Sequence, residues 1–280
     1  MKYNPKVLIA DQTLRCNQEC WFCWRSDKGK VRSAVQRSEN MTMPMDVLRE
    51  ILKQGQQNGL SELSYCGPMG DPLTVRDISE RGRMAKLLGF RTSINTNGAA
   101  LHKHDPAELL SAFDEVSVSL DALTGKTHRD IHGKDGQFDG ICEQIERLIK
   151  TDPHRTHVRF TMNAKNQEEW PEFLRRYLGR CWIKHKKLHS FVDVRTGETE
   201  LREPENCNQP KGCVNYTVNG DMTTCCINYK MEPTFGHIFD GMKNAWESDA
   251  FEEWRANRVQ GICGGCSGLG GNDYATYRPL

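Results

Sequence analysis

The chain has 280 residues, with 38 Lys and Arg against 37 Asp and Glu and a formal net charge of +1. That balance gives no general electrostatic case for nucleic acid or an anionic membrane as partner, and no apolar run approaches the ~20 residues of a membrane span. The apolar N-terminal patch Val7-Leu8-Ile9-Ala10 is shorter than the ~7–15-residue core of a signal peptide, so a cytoplasmic protein is expected.

Up to about residue 195, short β-rich runs alternate with helical patterns. In chain order we expect a strand over residues 7–13, then a helix over 44–59 with Val47, Leu48, Ile51 and Leu52 on one face and Gly59 as its stop. A strand at 63–66, a helix at 77–88, a strand at 92–95 and a short helix at 106–113 follow. The series continues with a strand at 116–120, a helix at 138–149, a strand at 158–162, a helix at 168–178 with Asn166 as cap, and a sixth strand at 188–194. Such alternation argues for parallel βαβ units, and six of them can close partway into a barrel. Residues 24–42 break the pattern, with Arg25, Lys28, Lys30, Arg32 and Arg37 against only Asp27 and Glu39. They read as a solvated mobile loop or as a basic lid over an anionic or polyhydroxyl substrate. After residue 196 the character changes. Runs at 214–218 and 222–226 flank Asn219-Gly220, a hairpin signal. A helical stretch over 245–259 is broken around Ser248, and the tail over 261–271 is rich in Gly. The expected fold is therefore α/β: a partial (β/α)6 TIM-like barrel over residues 1–195, then a small α+β module, a β-hairpin plus helix, over 196–280.

The twelve cysteines carry the chemistry. In a reducing compartment disulfides are rare, and clustered Cys points to metal or catalysis. Cys16, Cys20 and Cys23 stand at CxxxCxxC spacing just after the first apolar run. Three thiolates fall one short of the closed tetrahedron of a structural zinc site, whereas an iron–sulfur cubane held by three cysteines keeps one iron open for a ligand. Cys207, Cys225, Cys263 and Cys266 form a second array. For the other five, Cys66, Cys142, Cys181, Cys213 and Cys226, the plain reading is small buried hydrophobe.

The three-cysteine loop, the βα alternation and an ordered series of strand-end motifs resemble the radical S-adenosylmethionine (SAM) enzymes. Cys66-Gly67-Pro68-Met69-Gly70-Asp71-Pro72 stands in the place of that family's Gly-Gly-Glu-Pro turn, with a shorter acid than usual. Thr96-Asn97-Gly98 is similar to its Thr-Asn-Gly, and Ser119-Leu120-Asp121 to its Ser-x-Asp type. Phe22 matches the aromatic position that touches adenine. The resemblance implies that Phe22, Gly67, Gly70, Asp71, Thr96, Asn97, Ser119 and Asp121 bind SAM, and that Cys16, Cys20 and Cys23 hold a [4Fe–4S] cluster whose open iron chelates it. One electron then breaks a C–S bond, and the resulting 5′-deoxyadenosyl radical abstracts hydrogen from an unactivated C–H. A flavodoxin- or ferredoxin-type electron donor is implied as partner. For the strand-end residues, turn formation and capping are the competing readings.

The second array is similar to the SPASM/twitch module of the same superfamily, as are Phe235-Gly236-His237-Ile238 and Ala245-Trp246-Glu247-Ser248. No cysteine follows Cys266, so the shorter twitch form is implied, with one auxiliary [4Fe–4S] cluster on Cys207, Cys225, Cys263 and Cys266. Cys213 rivals Cys207, and Cys226 rivals Cys225. In a hairpin, neighbours point to opposite faces, so only one of Cys225 and Cys226 can easily face a metal. A four-cysteine zinc ribbon is the competing reading of the array. A saturated cluster serves as an electron relay, which points to net oxidation of a polar small molecule, a sugar or an aminocyclitol. The proton acceptor this requires is not fixed by any motif. Candidates are His128, His132, Arg159 and Arg195, with a surface or capping role the plain reading of each histidine. The alternative function is maturation of a ribosomally made peptide. Only fifteen residues precede Cys16, which argues against the N-terminal peptide-recognition domain such enzymes often carry, though a separate recognition protein could serve.

Overall fold

The computed structural model describes residues 4–66, 69–188, 207–258, 263, 266 and 275–279. Six strands run parallel and in chain order: β1 (Val7–Ala10), β2 (Glu62–Tyr65), β3 (Arg91–Thr96), β4 (Glu115–Ser119), β5 (Thr156–Met162) and β6 (Trp182–Lys187). The connections contain α1 (Lys28–Arg37) and α2 (Met45–Gln57), α3 (Ile78–Leu87), α4 (Pro106–Ala112), α5 (Gly125–His132) and α6 (Phe138–Thr151), and α7 (Trp170–Tyr177). Strands adjacent in space are adjacent in sequence, so the sheet winds one way, as in a barrel. It does not close. The free edge of β1 takes β7 (Cys213–Tyr216) in parallel, and that of β6 takes β10 (Ala275–Tyr277) antiparallel. From β7 the sheet continues antiparallel through β8 (Asp221–Thr223) and β9 (Thr234–His237). With α8 (Gln209–Gly212), α9 (Met242–Trp246) and α10 (Asp249–Asn257), these strands make the α+β C-terminal part. The architecture is the expected partial barrel followed by a small module. No helix among the described residues is long and apolar enough to cross a membrane.

Strand alternation decides what fills the barrel. Leu8, Ala10, Leu63, Tyr65, Ile94, Val116, Val118, Val158, Phe160 and Ile183 are buried in the main core, which they share with Leu48, Ile51 and Leu52 of α2 and Ile141, Ile145 and Leu148 of α6. The alternate positions Ser64, Asn95, Ser119, Arg159, Thr161 and Lys186 line a cavity instead. These strands present polar side chains to a lumen that is open, unlike the packed interior of a complete TIM barrel.

Four expectations need correction. The sixth strand is β6, at Trp182–Lys187, not residues 188–194, of which 189–194 lie outside the described residues. Its sequence, WIKHKK, has one buried apolar residue, Ile183, so the hydrophobic run that usually marks a buried parallel strand is missing. Residues 24–42 are not a loop: α1 occupies most of them. Asp27 caps it, accepting from the backbone N–H of Gly29 at 2.9 Å and of Lys30 at 3.1 Å. Val31, Ala34 and Val35 pack against Leu14, Trp24, Met69, Val218, Tyr229 and Met231, the i, i+3, i+4 stripe of an amphipathic helix. His128 and His132 are neither surface nor capping residues. Both are 1% exposed, one turn apart on α5, a helix between Thr124 as cap and Gly133 at φ 71°. Finally, β8 ends at Thr223, so Cys225 and Cys226 lie beyond the hairpin strand and its alternation does not govern them. The break at Ser248 is real: the residue caps α10 by accepting from the Phe251 N–H.

Asp11, just past β1, is buried, and burial alone pushes its pKa up to about 8. The folded state therefore holds this proton more tightly than the unfolded chain, and stability falls as pH rises between about 4 and about 8, by at most ~1.4 kcal/mol per pH unit. Asp11→Asn removes this dependence. In urea titrations its stability relative to the parent should grow from pH 6 to pH 8; a constant difference would contradict the assignment.

Candidate active site

A cavity of about 480 Å³ opens at the C-terminal ends of the parallel strands, the end at which ligands of such folds bind. Cys16, Cys20, Cys23 and Phe22 line it from the loop after β1. Gly70 and Asp71 enter after β2, Thr96 and Asn97 at the end of β3, and Ser119 and Asp121 at the end of β4. Arg159 and Lys186 come from β5 and β6. Every strand-end candidate within the described residues thus reaches one cavity; Gly67 and Arg195 lie outside the described residues. His132 is on the wall, whereas His128 is not among the residues lining it.

Asp71 joins these strand ends. Its carboxylate accepts from the Thr96 hydroxyl at 3.0 and 2.9 Å, the Asn97 N–H at 2.7 Å and the Leu73 N–H at 3.0 Å. Burial pushes its pKa up against the pull of these donors. Asn97 in turn donates through Nδ2 to Asn17 Oδ1 at 2.8 Å and to Cys16 Sγ at 3.6 Å. Gly70 has a backbone reason to be glycine: an added Cβ would lie 2.4 Å from the Arg15 carbonyl and 2.5 Å from that of Thr13. The close approach it permits is to the chain entering the cysteine loop, where the Asp71 N–H donates to the Arg15 carbonyl at 2.7 Å. Asp121 sits at φ 53°, a strained setting for a residue with a side chain, and accepts from the Thr161 N–H at 2.6 Å.

Burial is the largest influence on the thiols. It pushes Cys16 and Cys20 up and takes Cys23 to about 11, and Cys20 is raised further by the charges of Cys23 and Cys16. Bare, they are thiols at neutral pH, so loading a metal releases their protons. The thiols of the second array influence one another. Cys225, raised by burial to about 12, feels Cys263 and Cys266, and Cys263, raised by burial to about 11, feels Cys266 and Cys207. Among the described residues no three His, Cys, Asp or Glu side chains are gathered tightly enough to hold a single metal ion. A cubane spreads its thiolates over separate irons, so this spacing does not disqualify either set, and soft thiolate donors suit iron–sulfur clusters.

Two kinds of residue stand on the cavity wall where the sequence reading did not put them. Cys66, Cys213 and Cys226 are half-buried on the cavity wall, with Cys226 hydrogen-bonded to Cys66. Only Cys142 and Cys181 of the five remaining cysteines are core residues. No spacing marks the three, because distant segments bring them together. Lys186 carried no motif either. Burial, then the nearby charge of Arg159, pushes its ammonium down to about 7, with Asp121, Cys226 and Cys66 acting the other way.

A family model described as the radical SAM superfamily matches residues 12–177, and one described as an iron–sulfur cluster-binding domain, SPASM, matches residues 207–267. A probable GTP 3′,8-cyclase of Saccharolobus islandicus is 29% identical over 160 residues, 57% of this chain and 48% of that protein. An AdoMet-dependent heme synthase of Methanosarcina barkeri is 29% identical over 170 residues, 60% of this chain and 46% of that protein. The chain spans about half the length of these curated relatives. Among solved structures, BtrN in complex with AdoMet and 2-DOIA aligns over 95% of this chain and 94% of its own at 15% identity and a TM-score of 0.61. Streptococcus suis SuiB bound to precursor peptide SuiA aligns over 94% of this chain and 70% of its own at 15% identity and a TM-score of 0.71. At such identities both speak for the fold.

Gly70→Ala tests how the loop is held. The Cβ meets backbone that cannot rotate away, so a loss of about 3 kcal/mol is expected, together with a lower iron content after anaerobic reconstitution. Unchanged stability and iron would contradict the packing described.

Proposed function

The chain belongs to the radical SAM superfamily and carries an iron–sulfur cluster-binding module, and we propose that it oxidises a polar small molecule of sugar or aminocyclitol type. It is an iron–sulfur enzyme that uses SAM and [4Fe–4S] clusters. We assign Cys16, Cys20 and Cys23 to the cluster with an open iron, and Cys207, Cys225, Cys263 and Cys266 to one auxiliary cluster. Phe22, Gly70, Asp71, Thr96, Asn97, Ser119 and Asp121 are assigned to the SAM surface. We keep the division at 195/196 and a flavodoxin- or ferredoxin-type electron donor as parts of the proposal. Bound there, these groups supply one-electron cleavage of SAM, hydrogen abstraction from an unactivated carbon, and an acceptor for one electron.

The observation that carries the reading is Lys186. Removing a hydrogen atom and an electron from a carbinol or amine carbon leaves a proton to be taken up. An amine whose proton is held only to about pH 7 stands on the cavity wall, poised for general-base work near neutrality. Arg159 donates through Nη1 to Asn95 Oδ1 at 2.7 Å. Its guanidinium, a permanent cation in proteins, serves to keep Lys186 neutral rather than to accept a proton. His132 is turned toward Cys20, and His128 lies off the wall. Asp71 and Asp121 are engaged by protein donors, and we assign Lys186 as the base on its place in the wall and its lowered proton affinity.

One observation favours the second reading, maturation of a ribosomally made peptide. Cys66, Cys213 and Cys226 line the same wall, and a thiol readily returns hydrogen to a carbon radical, an outcome that epimerises rather than oxidises.

Lys186→Met should leave 5′-deoxyadenosine formation in place while product from a panel of sugars and aminocyclitols falls by about 10²-fold or more. In the parent, product formation should rise with pH through about 7 and then level, because the neutral amine is the working form. A flat pH profile, or full product from the variant, would remove Lys186 and weaken the oxidation reading. Solvent deuterium at a substrate carbon would instead favour the second reading.

A further inference from the structure

We propose that His132 is a positioning residue for the cluster of the three-cysteine loop: its Nδ1–H donates to the Cys20 thiolate and thereby sets that cluster's reduction potential. The inference rests on reading Cys20 as an iron ligand. His132 Nδ1 lies 3.1 Å from Cys20 Sγ. On the other side of the ring, Nε2 lies 3.3 Å from the Leu120 carbonyl oxygen and 3.9 Å from Asp121 Oδ2. Once Cys20 has given up its proton, both ring nitrogens face acceptors, and a neutral imidazole has one hydrogen to give. The 3.3 Å contact falls outside the usual ~2.7–3.2 Å of an N–H···O bond. The 3.1 Å contact is close for the larger sulfur atom. The hydrogen therefore belongs on Nδ1.

The ring cannot drift from the sulfur. The carbonyls of His132 and Ile131 accept from the Glu19 N–H at 2.9 Å and the Trp21 N–H at 3.0 Å, so the last turn of α5 grips the chain on both sides of Cys20. The next residue, Gly133, presses so closely that a Cβ would sit 2.7 Å from the Glu19 carbonyl oxygen. His128 packs against His132, ring centroids 4.5 Å apart and planes tilted by 41°, and reaches Gln18, Nε2 to Nε2, at 3.5 Å. Gln18 Oε1 lies 3.9 Å from Cys20 Sγ. The other two thiols are served differently: Cys16 takes the Gln18 backbone N–H and the Asn97 side chain, and Cys23 takes the Arg25 backbone N–H. Cys20 alone has a buried imidazole, supplied by a segment more than a hundred residues away in sequence. An N–H···S bond stabilises charge on sulfur and so favours the more negative, reduced cluster; hydrogen bonds to the sulfurs are a known lever on iron–sulfur potentials.

The test is an EPR-monitored redox titration of the reconstituted holoenzyme. His132→Asn places an amide N–H where Nδ1 stood, and His132→Gln places one where Nε2 stood. The inference expects His132→Gln and His132→Leu to shift the midpoint of the SAM-responsive signal to lower potential, His132→Asn to restore most of it, and the second signal to stay put. Equal midpoints in parent and His132→Gln at equal iron content would overturn it. Cys20→Ala separates the two levels. If that variant keeps the SAM-responsive signal, Cys20 is no ligand and the inference falls with its premise. If it loses the signal while His132→Gln shows no shift, the inference alone falls.

Discussion

The segment over residues 16–23 has neither helix nor strand, yet it must present three thiols in one arrangement. Its own backbone cannot do this, so the neighbours do. The α5 terminus holds Glu19 and Trp21, the Asp71 N–H holds Arg15, and the Asn97 side chain holds Asn17. Arg25 adds donations to the carbonyls of Leu14 at 2.9 Å and Met69 at 2.8 Å. Everything proposed about the site depends on this bracing, in which one helix end and the segments after two strands hold the loop.

The same economy of positions gives the cavity its character. A strand has two faces; here one feeds the core between sheet and helices, and the other carries Ser, Asn, Arg, Thr and Lys into the lumen. Isolated charges there would be expensive. The structure answers by tying each acid to backbone and hydroxyl donors and by leaving Lys186 close to neutral. That arrangement leaves one side chain on the wall suited to act as a base near neutrality. The C-terminal strands add to it by extending the barrel's own sheet through the β1–β7 pair, which brings Cys213 and Cys226 to the wall.

Five of the six parallel strands and most of their helices were legible because their apolar residues recur at periods of 2 or 3.6. The sixth was not, since Lys184, His185, Lys186 and Lys187 dilute its pattern. Helix α1 was hidden by its charge, although the cap at Asp27 and the Val31, Ala34, Val35 stripe were there to be read. The site's residue types were visible as strand-end motifs, but their partners were not. That Asp71 spends its oxygens on Thr96, Asn97 and Leu73, or that His132 meets Cys20, depends on packing between segments 25 and 112 residues apart. Spacing along the chain cannot express such distances, and the same holds for the three cavity thiols.

The central claim is that the braced loop holds a cluster with one iron open to SAM, while the second array holds a cluster that is closed. EPR of the anaerobically reduced holoenzyme, recorded with and without SAM, addresses it directly. The account predicts two signals, one of which changes on adding SAM while the other does not. Two signals that both ignore SAM would contradict it.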